Sequence, residues 1–355
     1  MEPQQNVFRV GSRKSELALI QTKHVIKCLE ELNPNNNFKI ITMDTKGDKI
    51  LNISLPKIGE KSLFTEELEN ALEDGRVDFI VHSLKDLPTT LREGLAIGAI
   101  LEREDPRDAV VMSKSYSNCT LETLPPNSVV GTSSLRRSAY LSRNMKHLTV
   151  ESIRGNLNTR FKKLDDKEGK YAAIILAVAG LKRMGFEDRI SEYLDPEDSL
   201  YAVGQGALAI ECREADPRVI TLLEPLNDIE STLRCVAERS FLKNLGGGCS
   251  APVGVSSLLI NKELTITGAV LSLDGKVLIR DTMKCKLFLP DDDGEPPKKC
   301  PYREPRTYCG VVPGKVNAIS LHGAEQIGID IAEKLIKLNA LDVMQEARDN
   351  IMSST

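Results

Sequence analysis

The feature that most restricts how this chain can fold is the steady alternation of short apolar runs with helix-period segments over roughly its first two hundred residues. Val7–Val10 reads as a strand, followed by Gly11-Ser-Arg-Lys-Ser15 and a helix with Ala18, Val25, Leu29 and Leu32 at helical intervals. Phe38–Met43 reads as a second strand. Phe64, Leu68 and Leu72 mark another helix, ended by Gly75 just past its last turn. Val77–Val81 is a third strand that runs straight into His82-Ser-Leu-Lys-Asp-Leu-Pro88. The pattern then repeats with strands at Ser128–Val130, Leu148–Ile153 and Ala172–Ala177, and helices opening at Leu135, Leu157 and Val178. Such alternation predicts a parallel α/β architecture. In those sheets ligands sit beyond the carboxyl ends of strands, often at a helix N-terminus. Arg13, Lys85, Asp86, Arg136, Arg137 and Arg154 each follow an expected strand directly, and that shared placement groups them into one cleft.

After about residue 229 the grammar changes. A helix near Glu230–Leu245 carries Leu233, Ala237, Phe241 and Leu245 on one stripe. Apolar segments follow at Val253–Leu259, Leu264–Leu273 and Lys276–Lys286, the last two joined by the hairpin signal Asp274-Gly275. Pro290–Val312, rich in Pro, Asp, Gly and Lys, reads as a surface insertion, and two helical stretches close the chain. This half is expected to be a separate α+β domain. A chain of 355 residues divides into two or three domains.

Charge narrows the ligand. Between Gly131 and Arg160 stand Arg136, Arg137, Arg143, Arg154 and Arg160, with Lys146 and a single acid, Glu151, in a chain whose net charge is −4. Gly131-Thr-Ser-Ser-Leu-Arg-Arg137, Ser152-Ile-Arg-Gly-Asn156 and Asn158-Thr-Arg160 set guanidinium forks among small polar residues, a mixture suited to carboxylate or phosphate oxygens. Arg143, Lys146, Lys162 and Lys163 are read instead as solvated helix faces. The acidic balance argues against a general nucleic-acid binder, and 4% aromatics with no tryptophan leave little to stack bases. The expected ligand is therefore a small molecule with several acidic groups. No apolar run reaches membrane-span length and the first residues carry no targeting pattern, so a cytoplasmic protein without membrane attachment is expected. Eight scattered cysteines form no C-x-x-C pair, which suggests reduced thiols, and four widely separated histidines predict no metal site.

Two residues stand out for chemistry. Asp86 is either an exposed turn carboxylate paired with Lys85 or a carboxylate placed to handle a proton or a developing cation. Cys249, between Gly246-Gly-Gly248 and Ser-Ala-Pro252, is either an idle thiol in a helix-ending loop or an attachment point. It lies past a helix C-terminus with no histidine nearby in sequence, which disfavours a turnover nucleophile and favours a single covalent attachment. Val203-Gly-Gln-Gly-Ala-Leu-Ala209 matches a dinucleotide fingerprint only in its spacing, because a strand-like run follows where a helix is required. Gly204–Gly206 is read as a turn between domains.

Taken together, these stretches resemble the porphobilinogen deaminase (hydroxymethylbilane synthase) family. The resemblance rests on Val10-Gly-Ser-Arg-Lys-Ser-Glu-Leu-Ala18, Lys57-Ile-Gly-Glu-Lys-Ser-Leu-Phe64, Val81-His-Ser-Leu-Lys-Asp-Leu-Pro88, Gly131-Thr-Ser-Ser-Leu-Arg-Arg137, Ile153-Arg-Gly-Asn-Leu-Asn-Thr-Arg160, Ala202-Val-Gly-Gln-Gly-Ala-Leu208 and Gly247-Gly-Cys-Ser-Ala-Pro252. It implies two α/β domains like type II periplasmic binding proteins, followed by a third α+β domain with an antiparallel sheet. The implied division is 1–103 with 207–225, then 104–203, then 229–355. The resemblance further implies a dipyrromethane cofactor on Cys249 through a thioether, and assembly of four porphobilinogen molecules into a linear tetrapyrrole with loss of ammonia. Asp86 would assist loss of ammonia, stabilise the cationic azafulvene and remove the final ring proton. Lys85, Ser83, Ser133, Ser134, Arg136, Arg137, Arg160, Arg183 and Gln205 would hold the cofactor. Arg13, Ser15, Gln21, Arg154, Gly155 and Asn156 would bind substrate. A monomer is implied, and the 290–312 insertion, with Cys300 and Cys309, points to an animal-type member. Tyr140 departs from the glutamine many relatives carry there. Two rival readings are a non-catalytic two-lobed anion-binding protein and a regulatory module for a polyanionic effector. The first leaves Asp86, Cys249 and the third domain without a task, and nothing in the sequence separately supports the second.

Overall fold

The structure is a computed structural model that describes residues 7–45, 47, 65–247, 251–289 and 307–353. Lys57–Phe64, Cys249, Cys300 and most of the 290–312 insertion lie outside the described residues. Two α/β domains are followed by an α+β domain, and each is built on its own sheet.

In the first sheet, β1 (Val7–Arg13) lies between β2 (Asn37–Met43) and β3 (Phe79–Ser83) and pairs in parallel with both. The order continues through β10 (Leu208–Arg213) to β4 (Leu95–Ile100). The second sheet repeats that plan, with β6 (Val129–Gly131) between β7 (Thr149–Glu151) and β8 (Tyr171–Ala177), then β5 (Asp108–Met112) and β9 (Glu192–Tyr193). The parallel arrangement expected from the alternation holds for β1–β3 and β6–β8 but not throughout, because β10 and β5 run antiparallel to both of their neighbours. The reason is geometric. Each is the strand that enters its sheet from the other domain, so it starts at the cleft and runs away from it, whereas β1, β3, β6 and β8 end there.

Helices α1 (Glu16–Leu32), α2 (Glu66–Glu73), α3 (Leu135–Asn144), α4 (Leu157–Leu164), α5 (Val178–Arg183) and α6 (Pro217–Leu223) cover the two sheets. One face of the first sheet buries Val10, Phe79, Val81 and Ile210 against Val25 and Leu29 of α1, while Ile80 and Val77 on the other meet Leu68 and Leu72 of α2. The third sheet is an antiparallel meander of β11 (Val253–Ile260), β12 (Glu263–Leu271) and β13 (Leu278–Lys286). It packs on α7 (Ile229–Asn244), α8 (Ala318–Lys337) and α9 (Ala340–Ser353).

Two strands of polypeptide connect the α/β domains, and they lie against each other. Gly206 has φ +90°, and a Cβ there would stand 2.2 Å from the Glu104 carbonyl oxygen, so only glycine allows this close crossing. The helix α7 bears on the same place. Its Glu238 is fully buried, binds Arg103 at 2.6 Å and accepts the Gly204 N–H at 2.8 Å.

Candidate active site

The loops at the carboxyl ends of β1, β3, β6 and β7 supply most of the residues singled out from the sequence. At the end of β1, Arg13 is half-buried and Ser15 is the N-cap residue of α1. One turn further on, the buried Gln21 amide donates to the Ser83 hydroxyl at 3.1 Å, joining α1 to the end of β3. From there the chain turns through a single 3-10 turn, Leu84–Asp86. Its Leu84 is buried, while Lys85 and Asp86 project outward. Asp86 makes no hydrogen bond or ion pair among the described residues, and its carboxylate acts on Lys85 through charge alone.

On the facing domain, Ser133 donates to the Ile153 carbonyl at 2.7 Å, tying the loops after β6 and β7 together. Ser134 and Asn156 cap α3 and α4, with Asn156 accepting the Thr159 N–H at 2.9 Å. Gly155 has φ +116°, a backbone that leaves Arg154 and Asn156 on either side of a tight bend. Lys163, expected to be a bare surface charge, donates to the Arg154 carbonyl at 3.1 Å, and Arg143 donates to the Gly275 carbonyl at 3.0 Å. Both side chains are exposed, as the reading of solvated helix faces has them, and each also fastens a neighbouring segment, a loop and the third domain's hairpin.

The residue that organises the pocket is one the sequence reading did not select. Asp108, at the start of β5, is fully buried and receives Arg136 Nη1 at 2.6 Å, Arg137 Nη2 at 2.7 Å and Gln205 Nε2 at 2.8 Å. Arg136 also donates to the Leu200 carbonyl at 2.6 Å and Arg137 to the Ile175 carbonyl at 3.0 Å. Lys85 reaches the same network from the first domain, with Nζ 3.5 Å from Gln205 Oε1. Arg183 donates to the Gly206 carbonyl at 2.6 Å, and Arg160 to the Gly155 carbonyl at 2.9 Å. The available signal was a lone acid opening the continuous apolar run Asp108-Ala-Val-Val-Met112, which is a buried-strand pattern.

Electrostatics show what this pocket lacks. Asp108 is held far below the usual carboxylate range, because Arg136 and Arg137 outweigh the burial that opposes its charge. The cations are lowered too, which for them disfavours the charged form. Burial first, and then the charges of Arg137 and Arg154, bring Arg160 down to about 10. Burial lowers Arg183 and Arg154 as well. Lys85 keeps some surface open to solvent, yet the protein crowded around it lowers its ammonium to about 8, with Arg137 and Arg136 adding to the fall and Asp86 opposing it. Several cations that are each less stable charged than in water define a site short of negative charge. The buried Arg137 Nε also has no acceptor among the described residues.

That donor set fits the carboxylate-bearing dipyrromethane implied by the resemblance. The third domain approaches the pocket at the right place. A Cβ on Gly254 of β11 would sit 3.4 Å from Arg136 Cδ, and Tyr201 and Val255 exchange backbone hydrogen bonds of 2.9 and 2.8 Å. Cys249 lies only five residues before Gly254 in sequence.

Relatives in sequence point the same way. A family model described as "Porphobilinogen deaminase, dipyromethane cofactor binding domain" matches residues 8–221, and one described as "Porphobilinogen deaminase, C-terminal domain" matches residues 232–300. A porphobilinogen deaminase of Nostoc sp. is 52% identical over 276 residues, covering 78% of this chain and 85% of that protein. One from Synechococcus elongatus is 53% identical over 274 residues, covering 77% and 85%. Among solved structures, the BenM effector binding domain with its effector benzoate has a TM-score of 0.38 at 15% identity, over 64% of this chain and 90% of that one. With one family model spanning well over half its length and relatives above one-half identity, this chain belongs to the porphobilinogen deaminase family.

Proposed function

We propose that this chain condenses four porphobilinogen molecules head to tail into hydroxymethylbilane, releasing one ammonia per unit, on a dipyrromethane primer carried by Cys249. The observation that carries the reading is an exposed, unbonded Asp86 with Lys85 beside it and the under-neutralised Arg160 and Arg183 on the facing domain. When bound, dipyrromethane supplies the nucleophilic pyrrole carbon at which the chain lengthens.

The protein's residues divide the remaining work. Each porphobilinogen adds an acetate and a propionate, and Arg137, Arg160, Arg183 and Lys85 offer N–H donors to cofactor carboxylates, with Ser83, Ser133, Ser134, Arg136 and Gln205 around them. Arg13, Ser15, Gln21, Arg154, Gly155 and Asn156 line the part proposed for incoming substrate. Asp86 accepts the pyrrole N–H of the substrate, stabilises positive charge as ammonia leaves the aminomethyl carbon, and takes the ring proton after the carbon–carbon bond forms. Arg137, Arg160 and Arg183 stand on the facing domain with only Lys85 beside Asp86, so most of the carboxylate-binding charge acts without cancelling the carboxylate that favours a cation.

The same reading assigns 1–103 with 207–225 to the first domain, 104–203 to the second and 229–355 to the third, in line with strands β1–β4 and β10, β5–β9, and β11–β13. It takes the chain as a cytoplasmic monomer that binds no nucleic acid; no helix among the described residues is long and apolar enough to cross a membrane. An animal-type assignment rests on the 290–312 insertion alone, whereas the relatives named above are cyanobacterial. The test is Asp86→Asn in the full chain. Covalent loading should persist while turnover falls by about 10²–10⁴, the usual worth of a positioned acid–base group. Turnover at the wild-type rate would remove Asp86 from the chemistry.

A further inference from the structure

Arg239, in the middle of α7, is the largest of the fully buried side chains and is only 1% exposed. It has no ion-pair partner among the described residues. Its guanidinium instead donates to three backbone carbonyls: Nη2 to Pro88 at 2.7 Å, Nη1 to Leu87 at 3.2 Å and Nε to Cys309 at 3.1 Å. A buried cation satisfied only by carbonyl dipoles is a poor way to gain stability, since its desolvation is not offset by an opposite charge. Such an arrangement makes sense as a device for fixing backbone, because a planar fork dictates where three carbonyls must stand.

The backbone it fixes begins at the residue next to Asp86. Leu84 and Leu87 flank Lys85-Asp86 and are both buried in the same core as Leu233, Val236, Ala237 and Phe241 of α7. The turn that presents Asp86 therefore grows out of the first domain's β3 but rests on the third domain's helix. The same helix ends at Asn244, five residues before Cys249. We propose that Arg239 is a positioning residue for Asp86, acting through the backbone carbonyls of Leu87 and Pro88 that follow the turn. The segment Cys309–Val312 completes the clamp, with Gly310 and Ile97 joined by a 2.8 Å backbone hydrogen bond at the edge strand β4.

This inference rests on the proposed role of Asp86, so the test must separate the two. In the full, cofactor-loaded chain, Arg239→Lys keeps the charge and removes the fork. The expected result is undiminished dipyrromethane mass, KM within twofold of wild type and kcat lowered at least tenfold. Amide exchange should quicken in the Leu84–Leu87 turn while that in β1 and β8 stays unchanged. Unchanged kcat with unchanged exchange at the turn would overturn the proposal. So would a joint loss of loading and melting temperature with a raised KM in both Arg239→Lys and Arg239→Gln, or failure of both to fold, since either marks a structural residue only. Asp86→Asn at the wild-type rate would instead sink the reading on which the proposal stands, and would do so whatever the exchange data say about the clamp.

Discussion

Asp108 holds two arginines and a glutamine in place from a fully buried position, and the consequences of removing it are large. Asp108→Ala would leave Arg136 and Arg137 buried without their shared counter-ion, and should cost about 3–5 kcal/mol in denaturant unfolding. A loss below about 1 kcal/mol would mean that the pair finds other partners. Because its carboxyl is depressed in the folded state, the stability it adds is fully present above the ordinary unfolded value of about 4 and is lost as pH falls from there towards the folded value. Acid unfolding of Asp108→Asn should accordingly be less steep in that window. Lys85 gives a second signal. In cofactor-free chain its labelling by an amine-directed reagent should be half-maximal near pH 8, and a midpoint above 10 would contradict the crowding described here. At this scale the sequence was partly legible. Arginines behind Gly-Thr-Ser-Ser announced an anion pocket, but no local pattern tells which carboxylate far along the chain will neutralise them. Asp108 is 28 residues from Arg136, and only the folded sheet makes them neighbours.

Among elements, periodicity located α1 to α5 and α7 through their apolar stripes, whereas the short α6 went unmarked. Leu29 of α1 is fully buried, yet Leu32, placed on the same stripe, is 51% exposed where the helix runs past the sheet. Strands β4 and β5 escaped notice although Leu95-Ala-Ile-Gly-Ala-Ile100 is an uninterrupted apolar run, bounded by Gly94 with φ +81°. Strand direction was not legible at all, since an antiparallel strand entering from the cleft has the same composition as a parallel one. The crossing itself is testable. Gly206→Ala would force a Cβ to 2.2 Å from the Glu104 carbonyl in a left-handed backbone and should destabilise by at least about 2 kcal/mol in thermal or denaturant melts. A neutral effect would show that the two connecting segments can separate freely. At the start of α7, Asp228 accepts the Ser231 N–H at 2.8 Å, and Asp228→Ala should cost about 1 kcal/mol.

For the molecule as a whole, the third domain is more than a carrier attached to a cleft. Its core is continuous with the first domain through Leu84, Leu87, Ile97 and Ile100, and Ala269 and Leu271 of β12 meet Ala139 and Leu200 of the second. The packing thereby relates α7 both to the Asp86 turn and to the second domain that holds the arginines. The change of periodicity near residue 229 set off the α+β half, whereas the split of the α/β half into two came only with the family resemblance, and the packing of the units was not legible because the residues that join them are ordinary apolar side chains in sequence. The central claim is that this chain carries its own pyrrole primer on Cys249, and the intact mass of the purified full-length protein under denaturing conditions tests it most directly. An excess equal to two porphobilinogen units less two ammonias, located on the peptide containing Cys249, is the predicted result. A bare polypeptide mass that stays bare after incubation with porphobilinogen would contradict it.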